Sequence, residues 1–377
     1  MSRPTAWRGP APLSEAGRLA VIAAGGTGGH LFPAQALAEA LAARGWRIAL
    51  ATDARTEGLA ATFPAEHRLG IASATFAGGP AARIRQAGAI LRGVFQARAA
   101  LKRLKPAIVV GFGGYPSIPT LLAARTLRLK TAIHEQNAVM GRANRLLAPG
   151  VTAIARAFPT LMKASSSVRA KAVVVGNPVR PAIRALVDAP YDPPSPDGAV
   201  HLFVTGGSQG ARVLSEAVPA AVALLPAELR ARLAVVQQTR PEATEAAAAL
   251  YRRAGVEAEL APFFADMAAR WTWAHLVIAR SGASTVGEIA VAGRPAILVP
   301  LGVALDDDQG QNARLLSEAG AAVVIRESDL TAESLAARLA ELLADPARLA
   351  AMAAAARAAA APDAAERLAD LIERTAA

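Results

Sequence analysis

A histidine closes the first glycine-rich turn of the chain, GGTGGH at residues 25–30, where an apolar run at 19–24 gives way to a helix-forming stretch. A glycine turn between strand and helix lets the backbone come close to an anion, and the free N–H groups at the helix start supply donors and partial positive charge. His30, whose unperturbed pKa is about 6.5, is suited to general-base work beside such a site, although a histidine here can equally serve packing. A second turn of this kind, GGSQGAR at 206–212, follows the apolar run 201–205. Neither turn ends in the Lys-Ser/Thr of a Walker loop and neither is a strict GxGxxG, so phosphate hydrolysis on a P-loop is not expected. A third, SGASTVGE at 281–288, sets Glu288 about one turn inside a helix. A carboxylate there can accept both hydroxyls of a ribose while the turn holds phosphate, or it can simply stabilise the helix start. Further polar clusters end apolar runs: GFGGYPS at 111–117, HEQN at 134–137 and GNPVR at 176–180.

The elements that must carry these groups alternate. Short Val/Ile-rich runs at 19–24, 47–52, 108–112, 131–134, 152–155 and 173–175 are separated by helix-length amphipathic stretches, the pattern of parallel βαβ units. The proline-rich stretch 181–198 cannot continue a helix or enter a central strand and reads as a linker. The alternation restarts at 201–205, 233–237, 275–279, 296–299 and 322–325. This predicts an α/β protein of two Rossmann-like doubly wound domains, 1–180 and 181–361, with a last helix at 362–377 that can pack back on the first. Active sites of such sheets collect at the carboxyl ends of the central strands, where the glycine turns lie.

The length of 377 residues also suits two domains at about 150 residues each. A hydrophobic share of 53% with 19% charged residues excludes a disordered chain, and the absence of cysteine excludes thiolate catalysis, Fe–S clusters and Cys-ligated zinc. No window of about 18 apolar residues is free of charge or proline, and residues 1–18 lack the apolar core of a signal peptide, so neither a membrane span nor export is expected. Residues 1–190 carry 25 Lys/Arg against 7 Asp/Glu, a net +18, whereas the rest carries 16 against 23, a net −7. The two halves therefore face different partners.

Taken in order, GGTGGH, GFGGYPS, HEQN, GNPVR, GGSQGAR and SGASTVGE resemble the lipid II-forming N-acetylglucosaminyltransferases of bacterial cell-wall synthesis, the MurG family, over nearly the whole chain. The resemblance implies the GT-B arrangement of two domains across a cleft, no cofactor and no metal. It also implies inverting transfer of N-acetylglucosamine from UDP-N-acetylglucosamine to the C4 hydroxyl of undecaprenyl-diphospho-N-acetylmuramoyl-pentapeptide, lipid I, at the cytoplasmic face of the inner membrane. Carried over motif by motif, Ser208, Gln209 and the backbone of Ala283, Ser284 and Thr285 would meet the diphosphate, with Arg180 adding charge. Glu288 would hold the ribose, and Asn137, Gln309 and Asn312 would read the sugar. Thr27, Gly28 and Gly29 would line the substrate site from the first loop, and His30, Tyr115 and Glu135 would face the acceptor. The stretch DDDQGQN at 306–312 departs from the usual pattern, which leaves Asp308 without an implied role and offers a superficial likeness to a metal site.

The basic half then has a partner. Residues 83–105 hold seven basic side chains and no acidic one, interleaved with Ile84, Ile90, Leu91, Val94, Phe95, Leu101 and Leu104. Such a helix can lay apolar groups into an anionic membrane surface, or bury one face in the core and solvate the other. Other classes stay open at this point. Asp53 lies near the place where a nicotinamide-dependent oxidoreductase needs an acid, and the positive charge would suit nucleic acid. The tandem loops do not fit the first, and 4% aromatics without a recognition motif argue that nucleic acid is not a partner. Within the transferases the rival is an enzyme glycosylating another membrane lipid, such as diacylglycerol.

Overall fold

A computed structural model describes residues 17–26, 28–53, 62–74, 79–208, 210–302 and 306–377. The first domain is built on seven parallel strands: β1 (Leu19–Ala23), β2 (Arg47–Thr52), β3 (His67–Gly70), β4 (Ile108–Gly111), β5 (Lys130–Glu135), β6 (Ala153–Arg156) and β7 (Ala172–Val174), in the order β3-β2-β1-β4-β5-β6-β7. The second has six: β8 (Val200–Thr205), β9 (Leu233–Gln238), β10 (Glu257–Ala261), β11 (Leu276–Ala279), β12 (Ala296–Leu298) and β13 (Ala322–Val324), ordered β10-β9-β8-β11-β12-β13. In each sheet the order reverses beside the first strand, between β1 and β4 and between β8 and β11, which opens a crevice at their carboxyl ends.

Burial on both faces explains why the central strands are continuous apolar runs. Along β1, Leu19, Val21 and Ala23 join the core beneath the helices Pro80–Leu104 and Ser117–Thr126, whereas Ala20 and Ile22 face Gly28–Ala43 and the terminal helix. In the second sheet Leu202 and Val204 pack toward Leu214 and Leu335, and Phe203 toward Trp271 on the opposite face.

The terminal helix Ala364–Ala376 lies on the first sheet, not the second. Leu368 and Ile372 are fully buried among Ile22, Ile48 and Val110, while Glu373 accepts the Trp46 indole N–H at 2.9 Å and, with Asp370, pairs with Arg44. The chain thus crosses between domains twice, after Arg180 and again near Ala361. At the second crossing Gly176, with φ +90°, has no room for a side chain: a Cβ would lie 2.5 Å from that of Ala361.

Two strands fall outside the runs expected from sequence. β3 and β10 both lie at sheet edges, carry charged residues among few apolar ones and are covered on one side only. Asp53, at the end of β2, is buried and accepts the Ser73 hydroxyl at 2.9 Å.

Candidate active site

The loop after β1 and the loop after β4 close on each other around His30. Gly26, Gly113 and Gly114 all take positive φ, and a Cβ on Gly114 would sit 2.7 Å from the Gly25 carbonyl oxygen and 3.4 Å from His30 Cδ2. Glycine is required there because only bare backbone can approach the imidazole so closely. His30, half-buried, has its Nδ1 3.2 Å from Gln136 Oε1. Burial lowers its pKa below the ordinary value, opposed by hydrogen bonds to Gln136 and the Phe112 carbonyl. The imidazole is therefore neutral near pH 7 and able to take a proton. Gly28 and Gly29 form the first turn of the helix behind it, and a Cβ on Gly28 would lie 2.8 Å from the Phe32 ring. Thr27 lies outside the described residues.

HEQN ends β5, and its alternation splits the motif. His134 and Gln136 point toward His30, whereas Glu135 is turned into the following loop. Glu135 is buried and accepts from the backbone N–H of Asn137 at 3.0 Å, from that of Gly141 at 2.9 Å and from Asn144 Nδ2 at 2.8 Å. Burial raises its pKa and these bonds oppose the rise. This geometry makes Glu135 a staple of loop 136–144 and does not bring it beside His30 as an acceptor-facing group. Tyr115 is half-buried in the glycine loop and packs on the core of the first domain.

In the second domain the helix Ala283–Ala292 begins after Gly282, which offers no capping side chain. Its first backbone N–H groups have no intrahelical partner, and the buried hydroxyls of Ser281 and Ser284 have no hydrogen-bond partner among the described residues. Buried polar groups left open in this way suit an anionic ligand. The neighbouring loop 206–210 turns on Gly207 and Gly210, both at positive φ, and a Cβ on Gly206 would meet Ala211 N at 2.2 Å. Gln238 holds that loop: its Oε1 accepts from Thr205 Oγ1 and Gly206 N, each at 3.0 Å, and its Nε2 donates to the Gly207 carbonyl. Sequence reading missed Gln238, whose signal is a polar residue ending a buried strand. Ser208 is exposed at the tip of the turn, and Gln209 lies outside the described residues.

Glu288 and Arg180 meet each other. The guanidinium of Arg180 donates to both oxygens of Glu288 at 3.0–3.2 Å, and the Trp271 indole N–H donates to Oε2 at 3.1 Å. Burial raises the Glu288 pKa, opposed by the charge of Arg180 and the indole bond. Arg180 also lies over the Phe32 ring, 5.0 Å from its centroid. Arg180 therefore joins the first-domain helix to the carboxylate, rather than standing open to a phosphate as the motif implied.

Side chains span the cleft. Asn312, fully buried on the helix Asp308–Glu318, donates from Nδ2 to Asn137 Oδ1 at 2.9 Å and to the Ser281 carbonyl at 3.3 Å, while its Oδ1 accepts the Ala138 N–H at 2.9 Å. Gln309, one turn earlier, accepts the Leu301 N–H through Oε1. Both oxygens of Asp306 are taken by Arg145 and Lys163 of the first domain. Asp308 is the first residue of its helix, where a carboxylate complements the dipole.

Comparisons with known proteins cover both domains. Residues 20–156 match the glycosyltransferase family 28 N-terminal domain and residues 201–368 its C-terminal domain. A protein of Phenylobacterium zucineum named UDP-N-acetylglucosamine–N-acetylmuramyl-(pentapeptide) pyrophosphoryl-undecaprenol N-acetylglucosamine transferase is 63% identical over 360 residues, covering 95% of this chain and 99% of its own. A protein of the same name from Caulobacter vibrioides is 59% identical over the same shares. Among solved structures, Acinetobacter baumannii MurG is similar at a TM-score of 0.76 and 34% identity, over 95% of this chain and 99% of that one. Staphylococcus aureus MnaA, solved with UDP, has the same fold at a TM-score of 0.66 and 16% identity.

Proposed function

The chain belongs to glycosyltransferase family 28, among its lipid II-forming N-acetylglucosaminyltransferases, and from that premise we propose that it transfers N-acetylglucosamine from UDP-N-acetylglucosamine to the C4 hydroxyl of the muramoyl sugar of lipid I. The observation that carries this reading is the side-chain ladder across the cleft. Gln136 touches His30, and the adjacent Asn137 touches Asn312, which in turn reaches the Ser281 carbonyl at the open helix start. One cleft thus holds a proton acceptor on one wall and anion-binding donors on the other.

The chemistry follows from those two walls. As the acceptor O4 bonds to C1 of the donor sugar, its proton passes to His30, and the bond from C1 to the β-phosphate oxygen breaks with inversion. Negative charge gathers on the departing UDP. The N–H groups of Ala283, Ser284 and Thr285, the hydroxyls of Ser281 and Ser284, and Ser208 on the second glycine loop meet that charge where it develops. Glu288 is held by Arg180 and Trp271 on both oxygens, so ribose hydroxyls would bind there by displacing one of those donors, and Gln309 has its Nε2 for the sugar. His30 is the base in this reading. Glu135 shapes the loop that presents Asn137.

The lipid acceptor reaches the first domain from a membrane surface. The helix Pro80–Leu104 divides its apolar residues: Ala97 and Leu101 are buried with Ile90, Val94 and Leu104 against the core, while Ile84, Leu91 and Phe95 are 74%, 58% and 64% exposed. Spaced seven and four apart, the exposed three form one stripe, flanked by Arg85, Arg92 and Lys102. An apolar stripe with basic borders fits an anionic leaflet. Among the described residues no helix is long and apolar enough to cross a membrane, so attachment through this stripe is peripheral. The test is a transfer assay with labelled UDP-N-acetylglucosamine and a short-chain lipid I analogue. Product with that acceptor and none with diacylglycerol is expected; the reverse would reassign the acceptor.

A further inference from the structure

His30 ends a chain of hydrogen bonds that begins in the connection between the domains. His134 is completely buried, and its Nε2 is 3.0 Å from the Gly176 carbonyl oxygen. A carbonyl only accepts, so that nitrogen carries the hydrogen. Burial pushes the His134 pKa down to about 4, which keeps the ring neutral and leaves Nδ1 as an acceptor. Nδ1 is 3.2 Å from Gln136 Nε2, whose amide hydrogen it receives. The other end of the same amide, Oε1, is 3.2 Å from His30 Nδ1 and also only accepts. His30 Nδ1 must then carry the hydrogen. In a neutral imidazole this leaves Nε2 as the single nitrogen with a lone pair.

We infer that His134 and Gln136 are positioning residues that hold His30 as the Nδ1–H tautomer, with Nε2 as the atom that takes the acceptor proton. The inference deepens, and rests on, the reading of His30 as the base. Along the chain each link admits one hydrogen placement, because the Gly176 carbonyl sits at one end and a single amide reads both rings, and in this arrangement the Phe112 carbonyl, the other acceptor at His30, shares the Nδ1 hydrogen. Glycine at 176 belongs to the device: its left-handed backbone sets the carbonyl that starts the chain, and a side chain there would strike Ala361. The relay contains no carboxylate. The adjacent Glu135 is turned away onto the N–H groups of Asn137 and Gly141. An amide orients the imidazole without the electrostatic pull of an aspartate, so it raises the pKa of the base less than a carboxylate would, and burial still leaves that pKa below the ordinary value. A triad carboxylate, by contrast, both orients and stabilises the protonated ring.

Nitrogen NMR of histidine-labelled protein reads this directly, with the His30 signals identified by their loss in His30→Ala. The wild type should show a protonated Nδ1 and a bare Nε2 on His30 at pH 7.5. Gln136→Met, close in size but unable to bond either ring, should leave a mixture of tautomers and lower kcat by roughly 10²-fold, with UDP affinity and melting temperature close to wild type. Gln136→Glu should recover part of kcat and move the acid limb of the kcat/KM profile to higher pH, since a carboxylate favours the imidazolium. A bare Nδ1 on His30 in the wild type, or the same tautomer in Gln136→Met as in the wild type, overturns the inference. If His30→Ala is fully active while the tautomer behaves as described, the base assignment fails and the relay stands.

Discussion

The two domains repeat one scaffold and put opposite chemistry at its switch point. In the first, the glycine turns after β1 and β4 enclose a neutral imidazole. In the second, the corresponding turns after β8 and β11 offer backbone N–H groups and two hydroxyls without a partner among the described residues, and the charged group that opens the second of these turns, Arg280, is paired with Glu327. Net charge runs the other way: the half of the chain that would hold the anionic donor is the acidic one, at −7, and the +18 half carries the proposed base. On the proposed reading, donor binding is a matter of local helix-start geometry, and the long-range positive field belongs to the domain proposed to face the membrane.

The comparison breaks most sharply at His30. His30→Ala should lower kcat by roughly 10²–10⁴ and abolish the acid limb of the pH–rate profile, while UDP affinity measured by calorimetry stays within about twofold. A matching loss of UDP affinity would mean that the two walls are not separable. A change confined to melting temperature would make His30 a packing residue.

Glu288 tests the other wall. Glu288→Gln keeps the shape but removes the charge that faces Arg180, so UDP binding should weaken by about 1.5–3 kcal/mol, roughly 10–100-fold. Because Arg180 also rests on Phe32, the change should be felt across the cleft, and an Arg180→Met, Glu288→Gln double variant should lose much less than the sum of the singles. Strict additivity would separate the pair functionally, whatever their contact.

Much of this was legible in the sequence. The central strands and the glycine turns announce themselves because burial on both faces leaves unbroken Val/Ile/Ala runs, and each turn must begin where the run ends. Edge strands β3 and β10 were not legible, since covering on one side leaves His67, Arg68, Glu257 and Glu259 among so few apolar residues that no periodicity stands out. The motif HEQN marked the right loop but not the division of labour within it. Strand alternation alone separates His134 and Gln136 from Glu135, and applied to residues 134–136 it would have set Glu135 apart from His30. The pairings of Arg180 with Glu288 and of Asn137 with Asn312 depend on how the domains dock, which no local pattern encodes.

The membrane assignment of the first domain can be sharpened by separating shape from charge. Leu91→Ser with Phe95→Ser removes two of the three residues of the exposed stripe and leaves the basic residues and the buried face of the helix in place. Burying such side chains is worth about 1.5–3 kcal/mol each when complete, so partial insertion predicts roughly tenfold weaker binding to vesicles containing anionic lipid. Replacing Arg85, Arg92 and Lys102 with Gln should instead flatten the salt dependence. UDP binding should be unchanged in both variants. Equal vesicle sedimentation by all three proteins would return the helix to a purely structural role.

The smallest expected effect concerns how the two walls are kept apart. Asp306 lies at the head of the donor-domain loop and pairs with both Arg145 and Lys163 of the first domain, while Asn137 and Asn312 satisfy each other beneath it. These contacts hold the cleft together before a sugar is present, so a donor that uses Asn137 or Asn312 must displace a protein partner. All three charged groups are partly exposed, which limits each pair to about 0–1 kcal/mol and makes it sensitive to salt. Asp306→Asn should accordingly widen the interdomain distance at low salt and change UDP-N-acetylglucosamine affinity by no more than about fivefold. Because the chain has no cysteine, Ser166→Cys and Glu245→Cys supply a clean pair of labels, one in each domain, for a distance measurement. The wild type at high salt should come to resemble Asp306→Asn at low salt, since screening and substitution remove the same attraction. If the distance distribution is indifferent to both, Asp306 does not latch the cleft, and the buried asparagine pair alone sets the approach of the two domains.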